Sequence, residues 1–310
     1  MAYSEDAIAL HKPAVADLPR LEDWVSFVYL DRARVVQEQT GVVAYGEGGP
    51  TAVHLPVASA ACVLLGPGTS VTSSAMATLH RHGTIAVFCG EGGAVGYAAG
   101  RPLTSSARWA QAQARMWADQ GARLCAAREL YQRRWPDLQI PAEAPIRVLR
   151  GMEGQRVKQQ YRELSRKYRW TSWRRESDPA KASDPVNRNL NIGNAILYGV
   201  AASAVHALGM SPALGVIHHG HASSFLFDLA DVWKGRIAIP LAFSTSREPD
   251  SVSAMRRAVR EQLHGQQVMS SMLRLSMDLV SKHVVAAESE NTLLDENGFV
   301  PGNVNHAGRT

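Results

Sequence analysis

The hydrophobic pattern of the chain changes near residue 103, and this change constrains the fold more than any other feature of the sequence. Before it, short apolar runs rich in Val, Thr, Tyr and Phe alternate with Gly- and Pro-containing turns, which is typical of β-strands. After it, apolar residues recur at helical spacing and prolines mark the gaps. The pattern predicts an α+β fold, with a β-sheet domain over residues 1–103 followed by an all-helical domain over residues 104–286.

The two patterns also predict individual elements. Strands are expected at seven runs: VSFVYL, RVVQEQ, VVAYG, TAVHLP, ACVLLG, TIAVFCG and AVGYAA. Helices are expected at about 73–82, 105–135, 146–169, 186–208, 223–233 and 249–283. Ser105 and Ser106 can cap the second of these helices, and Pro240 and Pro249 are expected to lie between helices. The last segment, 287–310, is polar and aperiodic, which predicts a flexible C-terminal tail.

Composition excludes several classes of protein. The 310 residues are 45% hydrophobic and 20% charged, which favours a globular chain with a sizeable core over a disordered, collagen-like or disulfide-stabilised one. No apolar run reaches the ~18 residues of a membrane span, and the N-terminus lacks the basic-then-apolar pattern of a signal peptide. The three cysteines, Cys62, Cys89 and Cys125, are far apart and odd in number, which favours reduced thiols. A cytoplasmic protein without a membrane partner is expected.

The positive charge is concentrated in one segment. Residues 151–190 contain ten Lys/Arg and five Asp/Glu, so this segment accounts for the whole formal net charge of +5. Four aromatic residues, Tyr161, Tyr168, Trp170 and Trp173, alternate with these cations. The combination suits phosphate contact together with base or sugar stacking. A solvated helix face whose aromatic side chains pack inward is the alternative.

The segment GVIHHGHASSFLFDLADVWK, residues 215–234, is the richest in potential metal ligands. Asp228 and Asp231 are three residues apart, so on a helix they share one face, and His218, His219 and His221 lie just before that helix. Carboxylate oxygens with a single imidazole suit Mg²⁺ or Mn²⁺ better than a metal that prefers thiolates. The alternative is that these are surface acids and polar loop histidines.

Glu153 is a lone acid at the start of the basic segment, flanked by Gly151 and Gly154. A carboxylate that holds a cation beside an Arg/Lys-rich surface is what metal-dependent phosphodiester chemistry needs, since the cation polarises the phosphate while the basic residues hold the backbone. An ordinary ion pair with Arg156 or Lys158 is the alternative.

Three separated motifs carry a resemblance to a known family. They are LRGMEGQRVK (149–158), NRNLNIGNAILYGV (187–200) and PALGVIHHGHASSFLFDLADVWK (212–234). Together they resemble the CRISPR-associated integrase of spacer acquisition, the protein numbered one in that system, and its type I-E branch in particular. The resemblance covers roughly residues 20–285 and agrees with the β-then-α division.

The resemblance implies roles for particular residues. Glu153, His218 and Asp231 would hold Mg²⁺ or Mn²⁺, and Asp228 would be a nearby assisting acid. Lys234 would contact phosphate, and Tyr198 would lie near the active site. The basic segment and a later cluster would hold the DNA backbone through Arg156, Lys158, Arg166, Lys167, Arg169, Arg174, Arg175, Arg247, Arg256 and Arg257.

The resemblance also implies an activity and an assembly. The 3′-hydroxyl of a short double-stranded DNA fragment, a protospacer, would attack a phosphodiester of the CRISPR repeat. The chain would act as a homodimer, joined through its N-terminal domain, within a hetero-oligomer that contains the small CRISPR-associated protein two. The 287–310 tail is a candidate docking segment. Two other functions stay open: a non-catalytic DNA-binding scaffold and a standalone metal-dependent nuclease.

Overall fold

The computed structural model describes residues 28–285, apart from short stretches at 40, 47–51, 58–59, 61, 83, 90–95, 100–106, 142, 177 and 179–180, and it describes the segments 292–295 and 298–301. The predicted caps Ser105 and Ser106, and most of the predicted tail, lie outside the described residues. Within the described part the fold is α+β, with strands followed by helices, and this confirms the predicted fold class.

Two four-stranded sheets form the N-terminal part. Their strands are β1 (Val28–Leu30), β2 (Ala33–Glu38), β3 (Gly41–Gly46), β4 (Ala52–Leu55), β5 (Cys62–Leu65), β6 (Ser70–Val71), β7 (Ile85–Cys89) and β8 (Gly96–Ala99). The first sheet has the order β1-β5-β7-β8, with β1, β5 and β7 parallel and β8 antiparallel. The second sheet has the order β4-β3-β2-β6. Each of the seven predicted runs overlaps one of these strands, and only the two-residue β6 was not anticipated.

The first sheet takes part in two hydrophobic cores because its side chains alternate between its faces. On β5, Cys62 and Leu64 pack into the core of the helical part, whereas Val63 and Leu65 pack towards the second sheet. Helix α1 (Ser73–Arg81), capped by the Thr72 hydroxyl, closes the second core with Leu79. The β-rich and helical parts of the chain therefore share a sheet.

Helix α5, residues Pro185–Ala207, is the centre of the helical part. It packs against four other helices and against β5 and β8 of the first sheet. It is buried on nearly every side, which is the pattern of a core helix. The helices are α2 (Arg108–Ala118), α3 (Gln120–Arg134), α4 (Ile146–Lys167), α5 (Pro185–Ala207), α6 (Ser224–Lys234), α7 (Ala238–Ser244), α8 (Ser251–Gly265) and α9 (Val268–Ser281).

The helix predictions were wrong at three places. The predicted helix 105–135 is two helices, because Asp119 adopts an extended conformation and its carboxylate caps α3 by accepting the N–H of Ala122 at 2.7 Å. The predicted helix 249–283 is also two helices, separated at Gln267, which has a left-handed φ of 47°. Pro240 was expected in a gap but lies in the first turn of α7, where a missing N–H removes no intrahelical hydrogen bond.

Part of the segment predicted to be an aperiodic tail forms an antiparallel pair, β9 (Thr292–Asp295) and β10 (Gly298–Pro301). Among the helices of the described residues, none combines the length and the apolar character that a bilayer crossing requires.

Candidate functional site

Asp228 organises the loop that precedes α6. Its carboxylate is fully buried and accepts backbone N–H groups from Val216, Ile217 (3.1 Å) and His218 (2.9 Å). It also lies 2.7 Å from Nδ1 of the His218 ring. The loop is tight, since a Cβ added at Gly215 would lie 2.4 Å from the carbonyl oxygen of His218. An anchored carboxylate of this kind fixes the geometry of a neighbouring group rather than reaching into a cleft.

The contact with Asp228 also sets the chemistry of His218. A carboxylate only accepts hydrogen bonds, so Nδ1 donates and Nε2 of the neutral ring keeps its lone pair. Nε2 lies 3.9 Å from Oδ2 of Asp231. The hydrogen bond to Asp228 raises the pKa of His218 above its ordinary value, against the opposing effect of partial burial.

Asp231 lies one turn after Asp228 on α6, and its side chain is 12% exposed. Burial by itself would raise the pKa of Asp231, but the Lys234 ammonium and the Arg134 guanidinium lower it, so this carboxyl group stays ionised. Lys234 Nζ lies 2.5 Å from Asp231 Oδ1 and donates to the Tyr198 hydroxyl at 2.6 Å. Tyr198 and Lys234 thus lie in the same cluster as Asp231.

Glu153 reaches this cluster from α4 through a residue that the sequence did not indicate. Arg134, in the last turn of α3, contacts Oε1 of Glu153 through Nη1, and its Nη2 lies 3.0 Å from Oδ2 of Asp231. The buried Tyr131 donates its hydroxyl hydrogen to Oε2 of Glu153 at 3.3 Å. The cation beside Glu153 is therefore Arg134, and Arg156 pairs instead with Asp137 at 2.6 Å.

Whether these residues fit a divalent cation depends on Arg134. Two carboxylates, from α4 and α6, share the Arg134 guanidinium, and the His218 imidazole, from the loop before α6, lies 3.9 Å from one of them. Carboxylate oxygens with one imidazole are the donor chemistry that Mg²⁺ or Mn²⁺ prefers. Within the described residues, no three His, Cys, Asp or Glu side chains are close enough to hold a metal as they stand. The donor set fits a metal if the guanidinium withdraws from between the carboxylates.

Part of the cluster lines a cleft of about 680 Å³. Arg134, Glu153, Asp231 and Lys234 line it, together with other residues of α4 and of the end of α6. Arg156 lies on the cleft wall beside Trp135, 5.5 Å from the centre of the indole ring. The cleft is therefore lined by charged groups of both signs around the proposed ligands.

The predicted DNA-contacting residues divide into two groups. Arg175 donates to Asn187 (2.9 Å) and Asn191 (3.1 Å) of α5, and Arg256 lies 4.1 Å from the Tyr29 ring centre, so both are held by the fold itself. Arg156 forms an ion pair with Asp137. Arg247 is also held, because its guanidinium donates to the backbone carbonyls of Tyr168 (3.1 Å) and Arg169 (3.0 Å). The remaining six side chains are exposed: Lys158, Arg166, Lys167, Arg169, Arg174 and Arg257.

The aromatic residues of the basic segment pack inward. Tyr161 and Trp173 contact each other edge to face, with ring centres 5.1 Å apart, and Trp173 also contacts Phe243 of α7. Trp170 donates its indole N–H to Ser246 at 2.9 Å. Of the two interpretations of this segment, inward packing is the one that the structure shows for its aromatic side chains.

Comparison with known proteins agrees with this architecture. The family described as CRISPR associated protein Cas1 matches residues 137–251, a range that includes Glu153, His218 and Asp231. The CRISPR-associated endonuclease Cas1 of Clostridium sp. (strain SY8519) is 33% identical over 263 residues, which cover 83% of this chain and 86% of that protein. The CRISPR-associated endonuclease Cas1 2 of Thermus thermophilus is 37% identical over 260 residues, covering 83% and 79% respectively.

A solved structure shows the same fold. The crystal structure of a TtCas1–DNA complex has a TM-score of 0.79 and 34% identity, covering 90% of this chain and all of that chain. The relatives come from diverse organisms and do not single out the type I-E branch. With this identity and coverage, the chain belongs to the Cas1 family of CRISPR-associated endonucleases.

Proposed function

We propose that this chain is a metal-dependent DNA integrase and endonuclease that inserts short DNA fragments into a CRISPR repeat. The observation that carries the proposal is the proximity of Glu153, His218 and Asp231, which come from three separate segments. Glu153 and Asp231 share the Arg134 guanidinium and line the cleft, and Nε2 of His218 lies 3.9 Å from Asp231. These three residues would hold Mg²⁺ or Mn²⁺. When bound, the cation would supply Lewis-acid polarisation of the scissile phosphate and of the attacking 3′-hydroxyl.

The protein's own groups prepare this chemistry. Asp228 holds the His218 ring so that Nε2 keeps its lone pair for a ligand. Lys234, held between Asp231 and Tyr198, keeps its positive charge because the Asp231 carboxylate raises its pKa despite burial. Its ammonium lines the cleft and is placed to bind a phosphate oxygen. If water replaces the 3′-hydroxyl as nucleophile, the same site would hydrolyse DNA.

Exposed cations near the cleft would hold the DNA backbone. Lys158, Arg166 and Lys167 lie on α4, and Arg169 and Arg174 follow that helix. Binding through such residues is sensitive to salt because it releases counterions from the phosphates. The solved TtCas1–DNA complex supports DNA as the ligand of this family.

The assembly that we propose follows from the family. The chain would form a homodimer through its N-terminal domain, residues 1–103, within a cytoplasmic hetero-oligomer that includes the small CRISPR-associated protein two. The helical domain, 104–286, would carry catalysis, and the tail, 287–310, would dock the partner. Assignment to the type I-E branch is part of the same proposal and rests on the sequence motifs.

The test is an integration assay with a matched pair of Glu→Gln variants, one at the site and one outside the cleft. A labelled duplex fragment is incubated with supercoiled DNA carrying a repeat, in the presence of Mn²⁺ or Mg²⁺. Glu153→Gln should lower integration by about 100-fold or more, because it replaces a charged ligand by a neutral amide. Glu129→Gln, on α3 and outside the cleft lining, should leave integration unchanged, since its 40% exposed carboxylate pairs only with Arg133 among the described ion pairs. Full activity of Glu153→Gln would contradict the proposed site.

A non-catalytic DNA-binding scaffold is the second candidate, and one observation favours it. Arg134 and Lys234 together already balance the charges of Glu153 and Asp231, so the cluster is neutral without a metal. Calorimetric titration with Mn²⁺ separates the candidates. The metal-dependent enzyme should show a binding site that disappears in His218→Ala, whereas the scaffold should show none.

A further inference from the structure

Arg134 is buried, yet its hydrogen bonding is incomplete. Its side chain is 7% exposed and contacts the carboxylates of Glu153 and Asp231. Among the described residues, its Nε and Nη2 atoms have no hydrogen-bond partner, although Nη2 is at ion-pair distance from Asp231. Burying a guanidinium with unpaired N–H groups is costly. A residue that served only to stabilise the fold would be expected to be better satisfied.

Arg134 lies between two aromatic rings and the cleft. The ring centres of Tyr131 and Trp135 lie 5.5 and 5.7 Å from its guanidinium carbon and flank it on the side of α3. On the other side its head group lines the cleft. The cleft is therefore open space beside Arg134 into which its guanidinium could move away from the two carboxylates.

We propose that Arg134 is an internal counter-ion that a divalent metal must displace, and that DNA assists this displacement. The inference rests on the proposed metal-dependent function. Without metal, Arg134 screens the repulsion between Glu153 and Asp231 and keeps them close enough to act as a ligand pair. Metal and guanidinium compete for the same oxygens, so binding of one weakens binding of the other.

DNA changes this competition because it offers Arg134 another partner. A phosphate in the cleft can accept two parallel hydrogen bonds from a guanidinium, which replace those lost from the carboxylates. Metal and DNA should therefore bind with positive coupling, each raising the affinity for the other by the same factor. Arg134 acts here as a positioning residue that links the metal site to occupation of the cleft.

A purely structural role for Arg134 makes the opposite prediction. If it only draws Glu153 and Asp231 together, removing it lets the carboxylates separate and weakens metal binding. If it competes with the metal, removing it strengthens metal binding. The affinity for metal in the absence of DNA therefore distinguishes the two roles, and this measurement does not depend on catalytic activity.

The experiment is calorimetric titration of the full-length protein with Mn²⁺, with and without a short DNA duplex. Arg134→Gln should bind Mn²⁺ about tenfold or more tightly than the wild type when DNA is absent. Arg134→Lys keeps the charge but cannot span both carboxylates, so it should be intermediate. Arg133→Gln is the matched control, since that neighbouring side chain is 51% exposed and pairs with Glu129 and Asp278 outside the cluster. DNA should tighten Mn²⁺ binding to the wild type and much less to Arg134→Gln.

The outcomes separate this inference from the proposed function. If the wild type shows a His218-dependent Mn²⁺ site and both Arg134 variants bind Mn²⁺ equally or more weakly, the counter-ion role is wrong and the metal site stands. If neither the wild type nor Arg134→Gln binds Mn²⁺ in a His218-dependent way, the metal-dependent function is wrong and the inference falls with it. Should Arg134→Gln fail to fold, the intermediate affinity of Arg134→Lys decides in the same way.

Discussion

Replacing Asp228 by Asn tests whether this buried carboxylate positions the site. The amide has one oxygen in place of two, so it cannot accept all four of the hydrogen bonds from Val216, Ile217 and the backbone and ring of His218. If its oxygen faces Val216 and Ile217, its NH₂ group faces the N–H of His218, and two donors oppose each other. In the reverse orientation the NH₂ group faces the N–H groups of both Val216 and Ile217, so two backbone donors lose their acceptor and the protein is destabilised more.

The size of the effect follows from these contacts. The buried N–H of His218, left without an acceptor, costs about 1–3 kcal/mol. The hydrogen bonds from Val216 and Ile217 remain, but each is weaker by about 1 kcal/mol because its acceptor is a neutral amide in place of a charged carboxylate. The free energy of unfolding should fall by about 3–5 kcal/mol, which corresponds to a melting temperature lower by about 5–8 °C for a chain of this size. The amide NH₂ would also donate to Nδ1 of His218, which moves the ring proton to Nε2 and removes the lone pair proposed for the metal.

Thermal unfolding followed by circular dichroism and Mn²⁺ titration calorimetry measure the two consequences. Asp228→Asn should lose thermal stability and metal affinity together, and the ¹⁵N chemical shifts of His218 should report the changed tautomer. Glu153→Gln is the comparison: its carboxylate accepts no backbone N–H in the described structure and does not contact His218, so it should lose metal affinity without a change in the His218 tautomer. An Asp228→Asn protein that melts and binds Mn²⁺ like the wild type would refute the positioning role.

Three further predictions concern DNA binding, packing and pH. Arg174→Ala should weaken DNA binding in fluorescence anisotropy and reduce the salt slope by about one, whereas Arg175→Ala should chiefly lower the melting temperature because it loses its bonds to α5. Gly193→Ala should destabilise the protein by about 1–3 kcal/mol in urea unfolding, because its Cβ would lie 2.5 Å from Cε of Met255. Gly154→Ala has open space around it and should stabilise the protein by about 0.5–1 kcal/mol, since alanine favours a helix over glycine. Burial lowers the pKa of His206 in the folded protein below its ordinary value of 6.5. As the pH falls below about 6.5, the unfolded chain therefore takes up a proton at His206 before the folded protein does, and the folded protein loses stability until the pH passes its own, lower pKa. The unfolding free energy should therefore decline less between pH 7 and 5 in His206→Gln than in the wild type.

Local patterns in the sequence predicted most of the fold. Runs such as ACVLLG and TIAVFCG were recognisable as strands because a sheet buried on both faces needs continuous apolar residues. The capping of α1 by Thr72 and of α3 by Asp119 uses the same side-chain chemistry, but the second cap was missed. An apolar stripe continues from α2 into α3, and periodicity alone does not reveal a single extended residue within it.

The site was predictable in part. The motifs that carry the family resemblance marked Glu153, His218 and Asp231, and the structure places all three in one cluster. Arg134 had no such signal, because in ELYQRRWPDL it is one of two adjacent arginines and nothing local tells which of them is buried. Only the packing of α3 against α4 and α6 turns Arg134 inward and leaves Arg133 exposed. Asp228 was expected to assist the metal, and its burial instead favours an indirect role.

The sheet shared by two cores has a consequence for synthesis on the ribosome. Strands β5 and β7 emerge early, but the face that carries Leu64 and Val87 is covered by α5, which is complete only at Ala207. At about 5–20 residues per second, translation leaves that apolar face uncovered for roughly 10 s. The nascent chain should be a client of ribosome-associated chaperones during this interval, and fragments that end before α5 should aggregate when expressed alone.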